Sequence, residues 1–160
     1  MRAFLLSVSA LALVSCATDD DPANGLQSIT IDQGPCYGFC PVYDITVTPD
    51  DRFVLNGIQH TRNDGRSSGT LADGAFDQIA ASFADVGFRT LPENLTYGAP
   101  DRVCPGPQVS DMPYFEFTGV YADMTKTVRW YQGCHYEGMR ELLTVVHDAI
   151  DLEERIQIAR

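Results

Sequence analysis

The chain has 160 residues, of which 11 are basic and 22 acidic, and its formal net charge is −11. A surface of this sign repels the phosphates of nucleic acids, so nucleic-acid binding is not expected. The length suits one domain with a core large enough to fold alone.

The first fifteen residues have the organisation of a secretion signal. Arg2 forms a short positive region, and residues 3–13 form an apolar run shorter than the roughly 20 residues of a membrane-spanning helix. The run ends in Leu-Val-Ser-Cys, which resembles the bacterial lipobox, so we predict cleavage before Cys16 and acylation of that cysteine. An ordinary secretory signal with a chance cysteine is the alternative. Several acyl chains, at roughly 0.8 kcal/mol per buried methylene, would hold the protein stably on a membrane.

This interpretation fixes the predicted domain boundaries and the location. We predict a lipoprotein signal peptide at 1–15, an acylated cysteine with a flexible tether at 16–26, and a single domain at 27–156. Cleavage removes one basic residue and leaves 10 basic against 22 acidic residues, a net charge of −12. The predicted location is the bacterial cell envelope, on the outer membrane facing the periplasm, with the N-terminal lipid as the membrane contact.

The first half of the domain has the alternating pattern of β-strands. A strand begins near Ser28, and residues 42–57 are predicted as a β-hairpin because a Thr-Pro-Asp-Asp turn at 48–51 separates two alternating runs. Residues 58–70 are polar around an Asn-Asp-Gly turn, which predicts short exposed strands.

Two helices and two further strands follow. Residues 70–87 predict a helix whose start, Thr70 with Asp73, resembles a capping box. Residues 92–111 predict a long loop, "YFEFTGVYA" and "KTVRWYQG" predict strands, and a second helix is predicted over roughly 138–156. This order predicts an α+β domain in which an antiparallel β-sheet of hairpins is packed on one face by two α-helices, with their apolar faces in one core.

Four cysteines remain for an oxidising compartment if Cys16 is acylated. Two of them, Cys36 and Cys40, lie in "QGPCYGFCPVY". A disulfide requires Cα atoms about 4.4–6.8 Å apart, so a bridge between them needs a turn, for which Gly38 offers a positive φ. The alternative is a thiol-redox or copper/zinc site that uses both thiols, with His135 as the histidine in the most exposed context. A thioredoxin-type site needs a helix after the second cysteine, whereas a strand is predicted there.

A second motif suggests a different chemistry. Gly65-Arg66-Ser67-Ser68-Gly69 matches the nucleophile elbow of serine hydrolases. The elbow needs a buried strand before the serine, and the preceding "HTRND" is polar and turn-forming. A serine hydrolase using Ser67 is therefore the weaker alternative, and we expect neither enzymatic activity nor a cofactor.

Several stretches together resemble the bacterial family called domain of unknown function 6438. They are "ITIDQGPCYGFCPVYDITV", "DRFVLNG", "DMPYFEF", "KTVRWY" and "LLTVVHDAID", which cover about residues 27–153. The most specific part is Cys-X-X-X-Cys-Pro-X-Tyr before a strand. The resemblance implies a small secreted or lipid-anchored domain and no particular activity. This chain departs from the pattern in "RVCPGPQVSDMPY", which is longer and adds a cysteine.

Four cysteines allow three pairings, and the residues alone do not choose among them. Short-range closure and the resemblance both favour Cys36 with Cys40, and Cys104 with Cys134. The leading hypothesis is a lipid-anchored envelope protein that serves as a non-enzymatic binding or accessory module for an unknown envelope protein or ligand.

Overall fold

The computed structural model describes residues 25–98, 103–104, 107 and 109–156. The predictions for 1–15 and for Cys16 lie outside the described residues. Within them, seven strands form one sheet in the order β4-β3-β2-β1-β6-β7-β5. The strands are β1 (Leu26–Gln33), β2 (Val42–Val47), β3 (Arg52–Gln59), β4 (Gly65–Thr70), β5 (Asn94–Leu95), β6 (Tyr114–Tyr121) and β7 (Thr125–Tyr131).

Helices pack on one face of this sheet. They are α1 (Ala75–Asp85), α2 (Met139–Ala149) and the short α3 (Leu152–Ile156), with a 3₁₀ turn at Phe88–Thr90. Their buried side chains join those of the strands in one core. The predicted α+β class and the shared core are confirmed. In the described part of the chain, no helix is long and apolar enough to cross a membrane.

Period-two alternation explains which sheet face is covered. In β1, Ile29 and Ile31 are fully buried, whereas Thr30 and Asp32, which alternate with them, point to the other face. The same alternation in β2, β3 and β6 produces one apolar face beneath the helices and one polar face, which we call the open face. The largest strand side chains that are fully buried in the core are Tyr43, Phe115, Phe117 and Trp130, each at most 2% exposed.

The start of α1 differs from the predicted capping box. The residue before the helix is Gly74, and no side-chain cap comes from its own segment. The backbone N–H groups of Gly74 and Phe76 instead donate to the carboxylate of Asp51, each at 2.8 Å. Asp51 lies in the turn before β3, so a residue more than twenty positions away supplies the cap.

Two other predictions need correction. The second predicted helix is broken after Ile150, where Asp151 adopts a left-handed φ of 54°, so α2 and α3 are separate helices. The predicted long loop contains the two-residue strand β5, which pairs with β7 in parallel. The sheet is therefore mixed at this edge, while all its other neighbouring pairs are antiparallel.

Candidate functional site

The connection between β1 and β2 is a loop closed by Cys36 and Cys40. The structure joins the two sulfur atoms, and the Cα atoms lie 5.7 Å apart, within the range a disulfide needs. Gly38 at the tip has a φ of 140° and open space around it. We call residues 36–40 the clasp.

The clasp exposes two aromatic side chains to solvent. Tyr37 is 88% exposed and Phe39 is 75% exposed. Phe39 makes an edge contact with His60, with the ring centroids 5.2 Å apart. Burying a large aromatic side chain is strongly favourable in free energy. Two such side chains exposed on a closed loop therefore form a surface suited to a binding partner.

Strand direction places other apolar residues at the same end of the sheet. The C-terminal ends of β1 and β3 meet the N-terminal ends of β2 and β6 there. Ile58, near the end of β3, is 56% exposed, and Tyr114, at the start of β6, is 36% exposed. Gly34, just before the clasp, donates its N–H to the Tyr114 carbonyl at 2.8 Å. We call this end of the domain the clasp end.

The second cysteine pair belongs to the core. The structure joins Cys104 to Cys134, with the Cα atoms 5.4 Å apart. Cys134 is fully buried, and its carbonyl accepts a hydrogen bond from the indole N–H of Trp130 at 2.9 Å. This bridge ties the segment before β6 to the turn between β7 and α2.

The histidines do not gather around either cysteine pair. His60 contacts Phe39, His135 is exposed beside Cys134, and His147 lies on α2 with its ring 6.0 Å from that of Phe115. Among the described residues, no group of three or more His, Cys, Asp or Glu side chains is placed to hold a metal ion. Burial lowers the pKa of His147 to about 4, so it is neutral at pH 7.

Ser67 lies in the middle of β4. It pairs with Leu55 of β3, and the whole Gly65–Gly69 motif belongs to this exposed strand at the edge of the sheet. A nucleophile elbow places its serine on a sharp turn from a strand into a helix. The motif does not have that geometry here.

The open face carries a row of charges that the sequence did not reveal. Asp32 lies directly opposite Asp44 on one side and Glu116 on the other. The row continues through Asn56 to Arg66 at one edge and from Glu116 to Arg129 at the other. Burial, with the nearby charges of Asp44 and Glu116, raises the pKa of the Asp32 carboxyl. The amide of Asn56 donates to Asp44 at 3.0 Å.

The sequence predicts the strands that carry these residues but does not bring the three carboxylates together. The alternation of each strand was a visible signal, whereas the partner and the register of each strand were not.

Comparison with known families gives one result. Residues 27–152 match the family described as "Domain of unknown function (DUF6438)". No curated protein matches the chain.

Proposed function

The chain belongs to the DUF6438 family, and we propose from its Leu-Val-Ser-Cys sequence at residues 13–16 that it is a lipid-anchored protein of the bacterial cell envelope. We propose further that it acts as a non-enzymatic binding module, with the clasp as its binding element. The observation that carries this proposal is the exposure of Tyr37 and Phe39 on a loop closed by a disulfide.

The closed loop favours binding for an entropic reason. Ordering a free loop on association costs free energy, and a loop already fixed by a covalent ring has less freedom to lose. Tyr37 and Phe39 each offer a large contact area with few rotatable bonds, which is the pattern of aromatic anchors in protein interfaces. The edge contact between Phe39 and His60 further restricts one of the two rings.

The position of the predicted anchor supports an outward-facing clasp. The tether joins the domain at the start of β1, and the clasp follows the end of the same strand. Eight residues of strand separate these points by roughly 23 Å at about 3.3 Å per residue. The predicted tether and the clasp therefore lie at opposite ends of β1, so a domain tethered through Cys16 is free to turn the clasp away from the lipid leaflet, toward a second envelope protein.

Site-specific photo-crosslinking in bacterial cells tests the binding role. A photoreactive residue is introduced in turn at Tyr37, at Phe39 and, as a control, at Asp77 on the exposed side of α1. We expect a discrete crosslinked species from the two clasp positions and not from the control. Adding Phe39→Ser to the position-37 crosslinker should abolish that species without lowering the thermal midpoint. Equal crosslinking from position 77, or no specific species from the clasp, would contradict the binding role.

The anchor is tested separately. Cys16→Ser should release the protein from the membrane fraction and remove the acyl mass from the N-terminal peptide. If the membrane fractionation and the mass of the N-terminal peptide are unchanged in this variant, lipidation is refuted. The crosslinking result would still test the binding role of the clasp.

A further inference from the structure

A groove runs between the C-terminal end of α1 and the N-terminal end of α2. It is an open depression of about 700 Å³, a volume in the range of small-molecule sites. Gly138 sets its shape, because a Cβ atom at this residue would lie 2.8 Å from Cγ1 of Val86. Gly138, which precedes α2, therefore lies in close contact with the end of α1, and the groove opens beside this contact.

The groove has an apolar floor and an aromatic wall. Leu91 and Leu142 are almost fully buried, and Val86 and Val145 are half-buried beside them. The half-buried ring of Tyr136 forms part of the wall. This lining suits the apolar body of a small ligand, and the face of a tyrosine ring attracts a cation.

The rim of the groove is acidic. Asp85, Glu137 and Glu141 line it, all three are exposed, and none forms an ion pair with another described residue. The described lining contains no Lys or Arg, although Arg140 lines an adjoining depression that shares Glu137 and Glu141 with the groove, so the net charge around the groove stays negative. The N-terminus of α2 contributes about half a positive charge, which is much less than the three full negative charges around it. The groove therefore favours a cation.

We propose that this groove binds a small organic cation, an ammonium or guanidinium group carried on an apolar or aromatic body. The cationic group lies at the acidic rim, and the apolar body lies on Leu91, Val86 and Val145. The site is separate from the clasp and does not depend on the proposed partner.

A titration of the full-length protein in non-ionic detergent tests the proposal. Benzylammonium chloride is the probe, and benzyl alcohol is its neutral counterpart of similar size. Binding is followed by backbone amide chemical shifts near pH 7 and at about 20 mM salt, where surface electrostatics are weakly screened. We expect saturable shifts centred on Val86, Tyr136 and Val145. We also expect roughly tenfold weaker binding of benzyl alcohol, because three weak charge interactions that each contribute about a factor of two together contribute about a factor of ten.

Two matched variants separate local charge from overall charge. The triple variant Asp85→Asn, Glu137→Gln, Glu141→Gln should raise the Kd for benzylammonium roughly tenfold. The control Asp73→Asn, Glu153→Gln, Glu154→Gln removes the same number of exposed charges elsewhere and should leave the Kd unchanged. The two triple variants are compared only if each retains the wild-type thermal midpoint. If the groove variant unfolds, the single variant Glu141→Gln replaces it.

Three results of these titrations would overturn the proposal. The first is equal binding of benzyl alcohol, and the second is an equal Kd in the triple variant and its control. The third is benzylammonium shifts of similar size beside exposed carboxylates outside the groove, all reversed to the same extent by Mg²⁺. A basic peptide that binds here while benzylammonium does not would assign the groove to a protein partner and would also overturn it.

Discussion

The carboxylate of Asp51 caps the helix that begins beside Phe76. Its two oxygens accept the N–H groups of Gly74 and Phe76, each at 2.8 Å, although the residues lie on opposite sides of a hairpin. The N–H of Leu71 also donates to the Asp51 carbonyl at 2.8 Å. The turn before β3 and the start of α1 are therefore one hydrogen-bonded unit that fixes the helix layer against the sheet.

Replacing Asp51 should cost more than replacing a neighbouring aspartate. Asp51→Ala removes both cap bonds and places alanine at a φ of 56°, so we expect a loss of about 2–3 kcal/mol in the free energy of unfolding. Asp51→Asn keeps one acceptor oxygen and a residue that tolerates this φ, and should cost about half as much. The control is Asp50→Ala, since Asp50 is exposed and its carboxylate interacts with Thr48 and Arg52 of the same turn and not with the start of α1. Urea unfolding measures all three, and equal costs at positions 50 and 51 would refute the shared cap.

The hydroxyl of Tyr43 is an unsatisfied group in the core. Tyr43 is 1% exposed, and its hydroxyl oxygen has no hydrogen-bond partner among the residues that the structure describes. Burial raises the pKa of this phenol above its ordinary value, so it remains protonated. Tyr43→Phe removes a buried polar atom without opening a large cavity and should stabilise the protein by about 1 kcal/mol. Thermal and urea unfolding measure the change, and a destabilisation would show that the hydroxyl has a partner in solution.

The acidic row on the open face should lower stability at neutral pH. The folded-state pKa of Asp32 lies above its ordinary value, so protonation favours the folded state. The contribution of Asp32 is most favourable below pH 3.8 and is lost as the pH rises through the raised pKa. Asp32→Asn should therefore stabilise the protein by roughly 0.5–1 kcal/mol near pH 7, and the gain should shrink in acid. Asp73→Asn serves as the control, and a gain independent of pH would contradict the electrostatic cause.

His147 should make the protein sensitive to mild acid. Its folded-state pKa of about 4 lies below the ordinary value of 6.5, so protonation favours the unfolded state and stability falls as the pH drops from 6.5 toward 4. The loss at pH 5 is about 2 kcal/mol for such a shift. His147→Phe should remove this acid-dependent loss, so the stability of the variant relative to the wild type should increase between pH 7 and pH 5. Urea unfolding measures this difference. If the free energies of unfolding of the wild type and the variant change with pH in parallel, His147 is not the cause.

The two disulfides should differ in their response to reductant. Mass mapping without reductant should link Cys36 to Cys40 and Cys104 to Cys134. Mild reductant should open the clasp first, because Cys134 is fully buried whereas both clasp cysteines are partly exposed. The loop-entropy relation gives about 2 kcal/mol for the clasp and about 3.5–4 kcal/mol for the longer ring. Free thiols at 36 and 40 in the native protein, or stoichiometric copper or zinc, would favour the thiol or metal alternative.

The sequence by itself determined the local elements. Alternating residues such as Ile29 and Ile31 marked the strands and their buried face, and the spacing of Phe76, Ile79 and Phe83 marked α1. These patterns follow from the geometry of a single strand or helix, so they are present in a short stretch of chain. The turn required between Cys36 and Cys40 was predictable for the same reason.

Only the tertiary structure decided which of these elements meet. The row from Asp44 through Asp32 to Glu116 depends on β1 lying between β2 and β6, in a register that no single strand encodes. The Asp51 cap and the groove beside Gly138 likewise join residues distant in sequence. Such contacts arise when the apolar faces of several elements are buried together, and that arrangement is a property of the whole chain.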